Sequence, residues 1–318
     1  MKKYILLTIF ISSILRASPY LPQNGEAYEV DSDGYITSFG GDPVFDNNNS
    51  TVGTAAIHYQ SPQIKAWATS VVSVNFGKYF DVSGYDYSDY DWKVPERAIG
   101  PATGDHYYGV VPLGSGGDIT LYFSSGISNG DGFDFVIFEN ADFAGFAELA
   151  YVEVSSDGEH FVRFPNMFLG TSKITAFGNT SYPQLSYNLG SKYHKDYGHG
   201  YDLAELEYAY NYIMSEDSEF SDEYKDAFLA DYQYLDLENV HYVRIVDIPG
   251  RGSGDEARYD SFGNVIYDPY RTTGTPGFDL QGVGVINTIV IPESESIASV
   301  LALVALFLAY HTKRKKVK

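Results

Sequence analysis

The chain has 318 residues, with 21 basic and 42 acidic side chains and a formal net charge of −21. A surface this acidic repels nucleic acid, because proteins bind phosphates with Lys and Arg. There is no cysteine, which excludes disulfides, thiol catalysis and cysteine-ligated metals. Abundant carboxylates favour Ca²⁺, which takes hard oxygen ligands, as the stabilising element. The alternative is that the acidity serves only solubility.

The N-terminal residues have the layout of a secretory signal peptide. Lys2 and Lys3 precede an apolar stretch over residues 4–15, and Ala17 and Ser18 are small residues suited to cleavage. This pattern predicts a signal peptide over residues 1–18 and export of the rest of the chain.

The central part of the chain, residues 19–291, reads as one β-sandwich domain. The 29 Tyr and 20 Phe residues in a Gly-rich chain are typical of such folds, since aromatic side chains favour strands. Residues 70–76 alternate weakly and predict a strand, and residues 79–92 form an acidic, Tyr-rich loop. Four segments before residue 165 predict an antiparallel meander, with a hairpin at Asp157-Gly158: 118–123, 134–139, 148–154 and 160–164.

In the second half of the chain the residue pattern first indicates helices and then strands again. Apolar residues recur at helical spacing within residues 203–235, which predicts one or two short acidic helices inserted between strands. Residues 241–246, 278–285 and 287–291 predict the last strands. The domain is therefore expected to be all-β, with antiparallel sheets and a short inserted helical segment.

The C-terminal tail, residues 292–318, has three parts. Pro292 and Glu293 open a short polar motif, residues 297–310 are apolar, and a basic end follows. The apolar run is shorter than the roughly 20 residues that span a bilayer, and the basic end is expected to stay cytoplasmic. The tail resembles the PEP-CTERM sorting signal, although Ser294 stands where that signal usually has a second proline. The resemblance implies an exosortase-type transpeptidase as partner; the alternative is an ordinary C-terminal membrane anchor.

The two predicted ends hold eight basic and two acidic residues. The exported body therefore carries 13 basic against 40 acidic side chains, a net charge of about −27. Such a polyanion destabilises its own compact state unless part of the charge is neutralised.

Several carboxylates coincide with predicted strand ends. Side chains alternate between the faces of a strand, and by this rule Glu148, Asp247 and Asp279 share a face with small and β-branched neighbours. A buried carboxylate without a partner costs several kcal/mol, so each needs an arginine, backbone donors or a metal. Arg244 falls on the opposite face from Asp247. The candidate Ca²⁺ ligands are Glu139, Glu148, Asp247, Asp268 and Asp279; the alternative is that they lie at exposed strand ends and meet only water or backbone N–H groups.

Several blocks, spread over about two thirds of the chain, carry a family resemblance: 98–101, 135–140, 146–158, 243–247, 266–269, 277–280 and 283–287. They resemble a family of exported bacterial cell surface proteins that often carry PEP-CTERM tails. The resemblance implies a jelly-roll-type antiparallel β-sandwich, similar to galactose-binding or discoidin-like modules. Those modules commonly hold a structural Ca²⁺ and bind glycans through loops at one end. The stretch 203–235 is longer than the family's usual connection.

Three functions compete at this stage. The first is a non-enzymatic surface or matrix module, stabilised by calcium, that binds a glycan or another extracellular ligand through aromatic loops at 79–92 and 182–201. The second is an extracellular glycoside hydrolase with Glu139 and Glu148 as its two carboxylates, which such enzymes place about 5 to 9.5 Å apart. The third is a surface component of small-molecule uptake. His194 and His199 make only a weak zinc pair and read as ordinary loop residues.

Overall fold

Two large antiparallel sheets, packed face to face, make up most of the structure. The prediction of an all-β sandwich with a short helical insertion is confirmed. The predicted signal peptide and the tail, with Pro292 and Glu293, lie outside the described residues. The computed structural model describes residues 20–32, 34–40, 53–80, 92–104, 108–141, 146–178, 180–190, 192–193 and 196–289.

The strands are short, except for those at the centres of the sheets. In chain order they are β1 (Tyr28–Val30), β2 (Ile36–Phe39), β3 (Ala56–His58), β4 (Ala66–Trp67), β5 (Ser70–Asn75), β6 (Val111–Pro112), β7 (Asp118–Ile127), β8 (Phe135–Glu139), β9 (Ala150–Ser155), β10 (Val162–Arg163), β11 (Met167–Phe168), β12 (Ile174–Thr175), β13 (Ser186–Tyr187), β14 (Tyr197–Tyr201), β15 (Val240–Asp247), β16 (Pro269–Tyr270) and β17 (Asp279–Val285). The helices are α1 (Tyr182–Leu185), α2 (Ala204–Ile213) and α3 (Asp222–Tyr232), with 3₁₀ turns at Pro95–Ala98 and Gly254–Glu256.

The five-stranded sheet has the order β10-β9-β15-β7-β5. The six-stranded sheet has the order β3-β14-β8-β17-β4, and β6 pairs with the first part of β17. Three two-stranded pairs complete the described structure: β1 with β2, β11 with β13, and β12 with β16, the last of which is parallel.

The chain repeatedly crosses from one large sheet to the other, as in a jelly roll. The predicted meander is therefore wrong: β8 lies in the six-stranded sheet, whereas β7, β9 and β10 lie in the other. Only β9 and β10 form the expected hairpin. Its turn holds Gly158 at a φ of 80°, a conformation that glycine adopts without strain. The longer connections around β8 are what allow the crossings.

The main core lies between the two sheets. Leu121 of β7 and Ile245 of β15 meet Phe135 and Ile137 of β8 there, and all four side chains are fully buried. Strand β8 is buried on its other face too, where Val136 and Phe138 are covered by neighbouring residues such as Trp67. Its apolar sequence on both faces had indicated this central position.

The helical insertion covers part of the same core. The pattern within 203–235 correctly predicts helices, which the structure places in α2 and α3. Helix α2 buries Leu206, Ala209 and Ile213, spaced three and four residues apart on one face. Ser221 caps the N-terminus of helix α3, since its side-chain oxygen accepts a hydrogen bond from the Tyr224 amide at 3.3 Å.

The predicted strand 278–285 is confirmed as β17, whereas the predicted strand 287–291 is not found among its described residues. Strand β17 ends at Val285, and residues 286–289 are not in a strand; the remaining residues of the predicted strand 287–291 lie outside the described part. Up to Thr288 the described residues belong to one compact unit.

Substitution with alanine should cost much more stability at a buried aliphatic position of the core than at an exposed one. Replacing Ile137, which is fully buried, with alanine should lower the free energy of unfolding by about 2–5 kcal/mol, because it leaves a cavity. Val72→Ala on β5, where the side chain is 53% exposed, is the matched control and should change it by less than about 0.5 kcal/mol. Urea unfolding of both variants measures the difference, and equal losses would contradict the assignment of the core.

Candidate metal site

Five buried carboxyl groups gather at one end of the sandwich. They are the five predicted from the sequence, and none is more than 3% exposed: Glu139, Glu148, Asp247, Asp268 and Asp279. The alternative of exposed strand ends is therefore wrong. We call these residues the carboxylate cluster.

The topology explains why they meet. Glu139 ends β8, and the neighbouring antiparallel β17 begins at Asp279, so both lie at the same end of the six-stranded sheet. Asp247 ends β15 and is opposite Ala150, the first residue of β9, with Glu148 two residues before it. Asp268 comes from the loop just before β16. The cluster thus draws on both sheets.

The alternation argument holds for two of the three strands. Val243 and Ile245 line the main core with Ala150, Val152 and Val154, as predicted for the strands of Asp247 and Glu148. It is wrong for β17. A register shift between Leu280 and Gly282 changes the alternation, so that Leu280, not Asp279, shares the core with Val283 and Val285.

Backbone and hydroxyl donors satisfy part of the cluster. Asp247 accepts hydrogen bonds from the amides of Gly116 and Phe278, both at 2.7 Å. Glu148 Oε1 accepts from the Thr272 hydroxyl at 2.9 Å and from the Gly277 amide at 3.2 Å. Gly277 has a φ of 75°, and a Cβ there would lie 2.8 Å from Asp247 Oδ1. Glycine is therefore required where this loop approaches the cluster.

The remaining three carboxyl groups also accept hydrogen bonds, but two of them keep an oxygen without a partner. Asp268 Oδ1 accepts from the Leu149 amide at 3.0 Å and from the Tyr182 hydroxyl. Glu139 Oε2 accepts from the Ala141 amide at 3.0 Å, and Asp279 Oδ2 accepts from the Asn140 amide group at 2.7 Å. Two buried oxygens, Glu139 Oε1 and Asp279 Oδ1, have no hydrogen-bond partner. A buried acceptor without a partner is costly, so these two oxygens are positions where a cation would gain most.

Burial and mutual repulsion both favour protonation of the cluster. Burial raises the pKa of Asp247 to about 7 and that of Asp279 to about 8, against the hydrogen bonds that lower both. Burial also raises the pKa of Glu148 well above its usual value, and the other four carboxylates raise it further. The pKa values of Glu139 and Asp268 are raised well above their usual values by burial, with smaller contributions from neighbouring carboxylates.

Positive side chains do little to offset this charge. None of the ion pairs between described residues involves the cluster. Arg258 makes only the smallest of the contributions that lower the pKa of Asp247. The prediction that Arg244 lies on the opposite face of its strand from Asp247 is confirmed, because Arg244 pairs with Glu153 instead.

A small cavity adjoins the cluster. Its volume is about 10 Å³, and its lining includes Glu148, Asp247, Asp268, Thr272 and Gly277. A single water molecule needs about 10–15 Å³, so the space admits one atom-sized guest. A sugar ring is far larger than this space beside Glu148. A hydrolase that uses Glu139 and Glu148 as its carboxylates stays a prediction.

The side chains do not yet form a closed coordination shell. Among the described residues, no three acidic or histidine side chains converge closely enough to hold a metal ion. The chemistry of the donors nevertheless suits Ca²⁺, which prefers carboxylate, hydroxyl and carbonyl oxygens. Binding would require the carboxylates, Glu139 and Asp279 above all, to turn toward a common centre.

The predicted aromatic ligand loops are placed differently from the expectation. Within 182–201 the chain forms α1, β13 and β14, and the rings of Tyr182, Tyr187, Tyr193 and Tyr201 are almost completely buried. They pack the interior and cannot stack on a sugar. His199 is also fully buried, whereas His194 and most of the loop 79–92 lie outside the described residues.

A second polar site was not predicted. Glu153 on β9 lies between Arg163 on β10 and Arg244 on β15, on the outer face of the five-stranded sheet. Glu153 and Arg163 lie five residues on either side of Gly158, so the hairpin signal could have paired them. The pairing with Arg244 could not be predicted, because β15 follows β9 by more than eighty residues.

Comparison of the chain with protein-family models, curated proteins and solved structures gave no match. The resemblance to exported cell surface proteins therefore stays a prediction. No helix in the described part of the chain combines the length and apolar character needed to cross a membrane.

The raised pKa values predict that the calcium-free protein loses stability as pH rises. A carboxyl group whose pKa is higher in the folded than in the unfolded state stabilises the fold fully below its unfolded value near 4. This contribution is lost as pH rises through the folded values of about 7 and 8 for Asp247 and Asp279. Asp279→Asn should therefore reduce the loss between pH 5 and pH 8 by more than about 1 kcal/mol.

Urea unfolding at several pH values, in buffer free of divalent cations, measures the slope of the free energy of unfolding against pH. Asp226→Asn is the matched control, because Asp226 is exposed on α3, and it should leave the slope unchanged. A slope for Asp279→Asn identical to that of the unmodified protein would contradict the assignment.

Proposed function

We propose that this protein is a non-enzymatic binding module of the cell surface or extracellular matrix, stabilised by calcium at the carboxylate cluster. The observation that carries the proposal is the burial of five carboxyl groups from both sheets, two of them with an oxygen that has no partner. A divalent cation would neutralise part of this charge and supply the missing partner. Because the cluster draws on both sheets, the same ion would hold them together, a role that disulfides often serve in exported domains.

We propose binding and not catalysis because the carboxylate cluster has no room for a substrate. Its carboxyl groups are enclosed, and the adjoining cavity of about 10 Å³ leaves no space for an organic substrate next to them. A structural role for the acids therefore fits the geometry better than hydrolysis. Uptake of a small molecule at the surface would use the same kind of binding module.

Export is the second part of the proposal. The signal-peptide pattern of residues 1–18 and the PEP-CTERM-like pattern of residues 292–318 support it, with an exosortase-type transpeptidase as the processing partner. The same tail would hold the chain at the membrane before processing.

Calcium should raise the melting temperature of the protein. An ion at a hundred times its dissociation constant adds about 2.7 kcal/mol to the free energy of unfolding, which corresponds to several degrees. Calorimetry at pH 7.5, first with EDTA and then with excess Ca²⁺, measures the shift. At pH 5 the shift should be much smaller, because protons then occupy the carboxylates that bind the ion.

Two variants separate a specific site from a general effect of salt. Glu148→Gln removes one charge from the cluster, so it should abolish most of the calcium shift and should not lower the melting temperature in EDTA. Glu153 lies on β9, close in sequence to Glu148, but it is paired with two arginines. Glu153→Gln should therefore keep the calcium shift. An unchanged melting temperature on addition of Ca²⁺ to the unmodified protein would refute the metal site.

The tail makes a separate prediction. In a host that contains an exosortase, intact mass of the surface-extracted protein should show loss of residues beyond the polar motif. Replacing Pro292 and Glu293 together with alanine should leave the tail attached. An unprocessed mass for the unmodified chain would instead support an ordinary membrane anchor.

A further inference from the structure

A cavity of about 520 Å³ opens on the outer face of the five-stranded sheet. Strands β9, β10 and β15 form its floor, α3 forms one wall, and the segment that follows Gly254–Glu256 forms the other. We call this cavity the arginine groove, after Arg163, Arg244 and Arg258, which line it together with Glu153. Its volume lies in the range of about 300–1,000 Å³ that small-molecule sites occupy.

The floor of the groove is an ordered row of charges. Glu153 is the direct cross-strand partner of Arg163 on one side and Arg244 on the other. Its Oε1 accepts hydrogen bonds from Arg163 Nε at 2.9 Å and Nη2 at 2.7 Å, and its Oε2 accepts from Arg244 Nε at 2.5 Å. One carboxylate thus faces two guanidinium groups, which leaves the row with a net positive charge.

Aromatic rings hold both guanidinium groups in place. The Arg163 guanidinium lies 3.8 Å from the centroid of the Tyr151 ring, and that of Arg244 lies 4.1 Å from the centroid of Phe161. Such stacking is favourable and restricts the side chains. The side chains are still 36% and 34% exposed, so the groups are preorganised and reachable from the groove.

Several guanidinium nitrogens are left for a ligand. Arg244 donates to the protein only through Nε, so both of its terminal nitrogens make no hydrogen bond to any described residue. Arg258 uses only Nη1, which donates to the backbone carbonyls of Asp255 and Ala257. Planar guanidinium groups with free terminal nitrogens match the two oxygens of a carboxylate.

The groove also contains hydrogen-bond acceptors that a ligand hydroxyl group would suit. Asn166 is only 2% exposed, and its side-chain amide donates to the Phe164 carbonyl at 3.0 Å. Its Oδ1 atom is buried and has no hydrogen-bond partner. Glu223 and Asp231 of α3 add acceptors on the wall of the groove. An O–H donor from a ligand would satisfy Asn166.

We propose that the arginine groove binds a carboxylate-bearing saccharide, such as a uronic acid unit of an acidic glycan. The sugar carboxylate would pair with Arg244, and ring hydroxyls would donate to Asn166 and the carboxylates of α3. Tyr259, which is 47% exposed and lines the groove, offers a ring for contact with the sugar face. This inference specifies the ligand of the binding module proposed above, but it does not depend on calcium.

The charge balance of the groove restricts the ligand to a low charge. Glu153, Glu223, Asp231 and Asp260 lie around the three arginines, so a polyphosphate or nucleic acid would meet repulsion as well as attraction. A neutral sugar would leave the guanidinium nitrogens without a charged partner. A carboxylate without hydroxyl groups would leave Asn166 unsatisfied.

Isothermal titration of the full-length protein tests this specificity. Trigalacturonate, its neutral counterpart galactotriose and the hydroxyl-free dicarboxylate succinate are the three probes. We expect trigalacturonate to bind at least tenfold more tightly than either of the others. No binding of trigalacturonate, or equal binding of galactotriose, would overturn the proposal.

Variants of the groove locate the binding. Arg244→Gln should weaken the binding of trigalacturonate at least tenfold. Ala227→Trp should do the same by filling the groove without removing a charge, since Ala227 is exposed on α3 and lines the cavity. Arg251→Gln is the matched control, because Arg251 pairs with Glu256 outside the groove. Unchanged affinity in the first two variants would place the sugar elsewhere and refute the proposal.

The same samples distinguish this proposal from the calcium proposal. Titration of metal-free protein, after EDTA has been dialysed away, should give the same affinity for the sugar as titration with Ca²⁺, whenever both samples are folded by circular dichroism. A calcium shift without sugar binding would refute only the groove. Sugar binding without a calcium shift would refute only the metal site.

Discussion

The fold has to compensate five carboxyl groups that are buried together at one end of the sandwich. Each carboxylate would be several kcal/mol less stable there as an unpaired anion than in water. The fold offers backbone amides, three hydroxyl groups (Thr272, Tyr182 and Thr275) and one side-chain amide to them, and Arg258 adds a small cationic contribution at Asp247. Protons or a divalent cation must supply the remaining compensation.

These two forms of compensation have different consequences at neutral pH. Protons compensate the cluster only while the pH stays below the raised pKa values, which reach about 7 for Asp247 and about 8 for Asp279. A calcium ion would compensate it at neutral pH and would also connect β8 and β17 of one sheet with β9 and β15 of the other. In a chain without cysteine, this is the kind of cross-link that remains available.

The same strand also shows how a buried acid can be satisfied without metal. Glu153, near the end of β9, is 4% exposed and pairs with two arginines, whereas Glu148, just before β9, meets a hydroxyl, an amide and four other acids. The first arrangement leaves one excess positive charge in the row of Glu153, Arg163 and Arg244, and the second leaves excess negative charge inside the protein. This contrast is the reason for proposing an anionic ligand at the first site and a cation at the second.

Local patterns predicted the fold class, the helical insertion and the β9–β10 hairpin, because side-chain alternation, helical spacing and the Asp157-Gly158 turn act over a few residues. The five acids of the carboxylate cluster were also named from the sequence, but alternation gives the correct face only for the strands of Glu148 and Asp247. The division of β7 to β10 between the two sheets could not be predicted in this way, since crossings depend on packing and not on local pattern. The tertiary structure also decided the bulge in β17 and the meeting of Arg244 with Glu153, which bring together residues distant in sequence. The face on which a strand residue lies can be predicted from its sequence neighbours, but its cross-strand partner depends on how the whole chain folds.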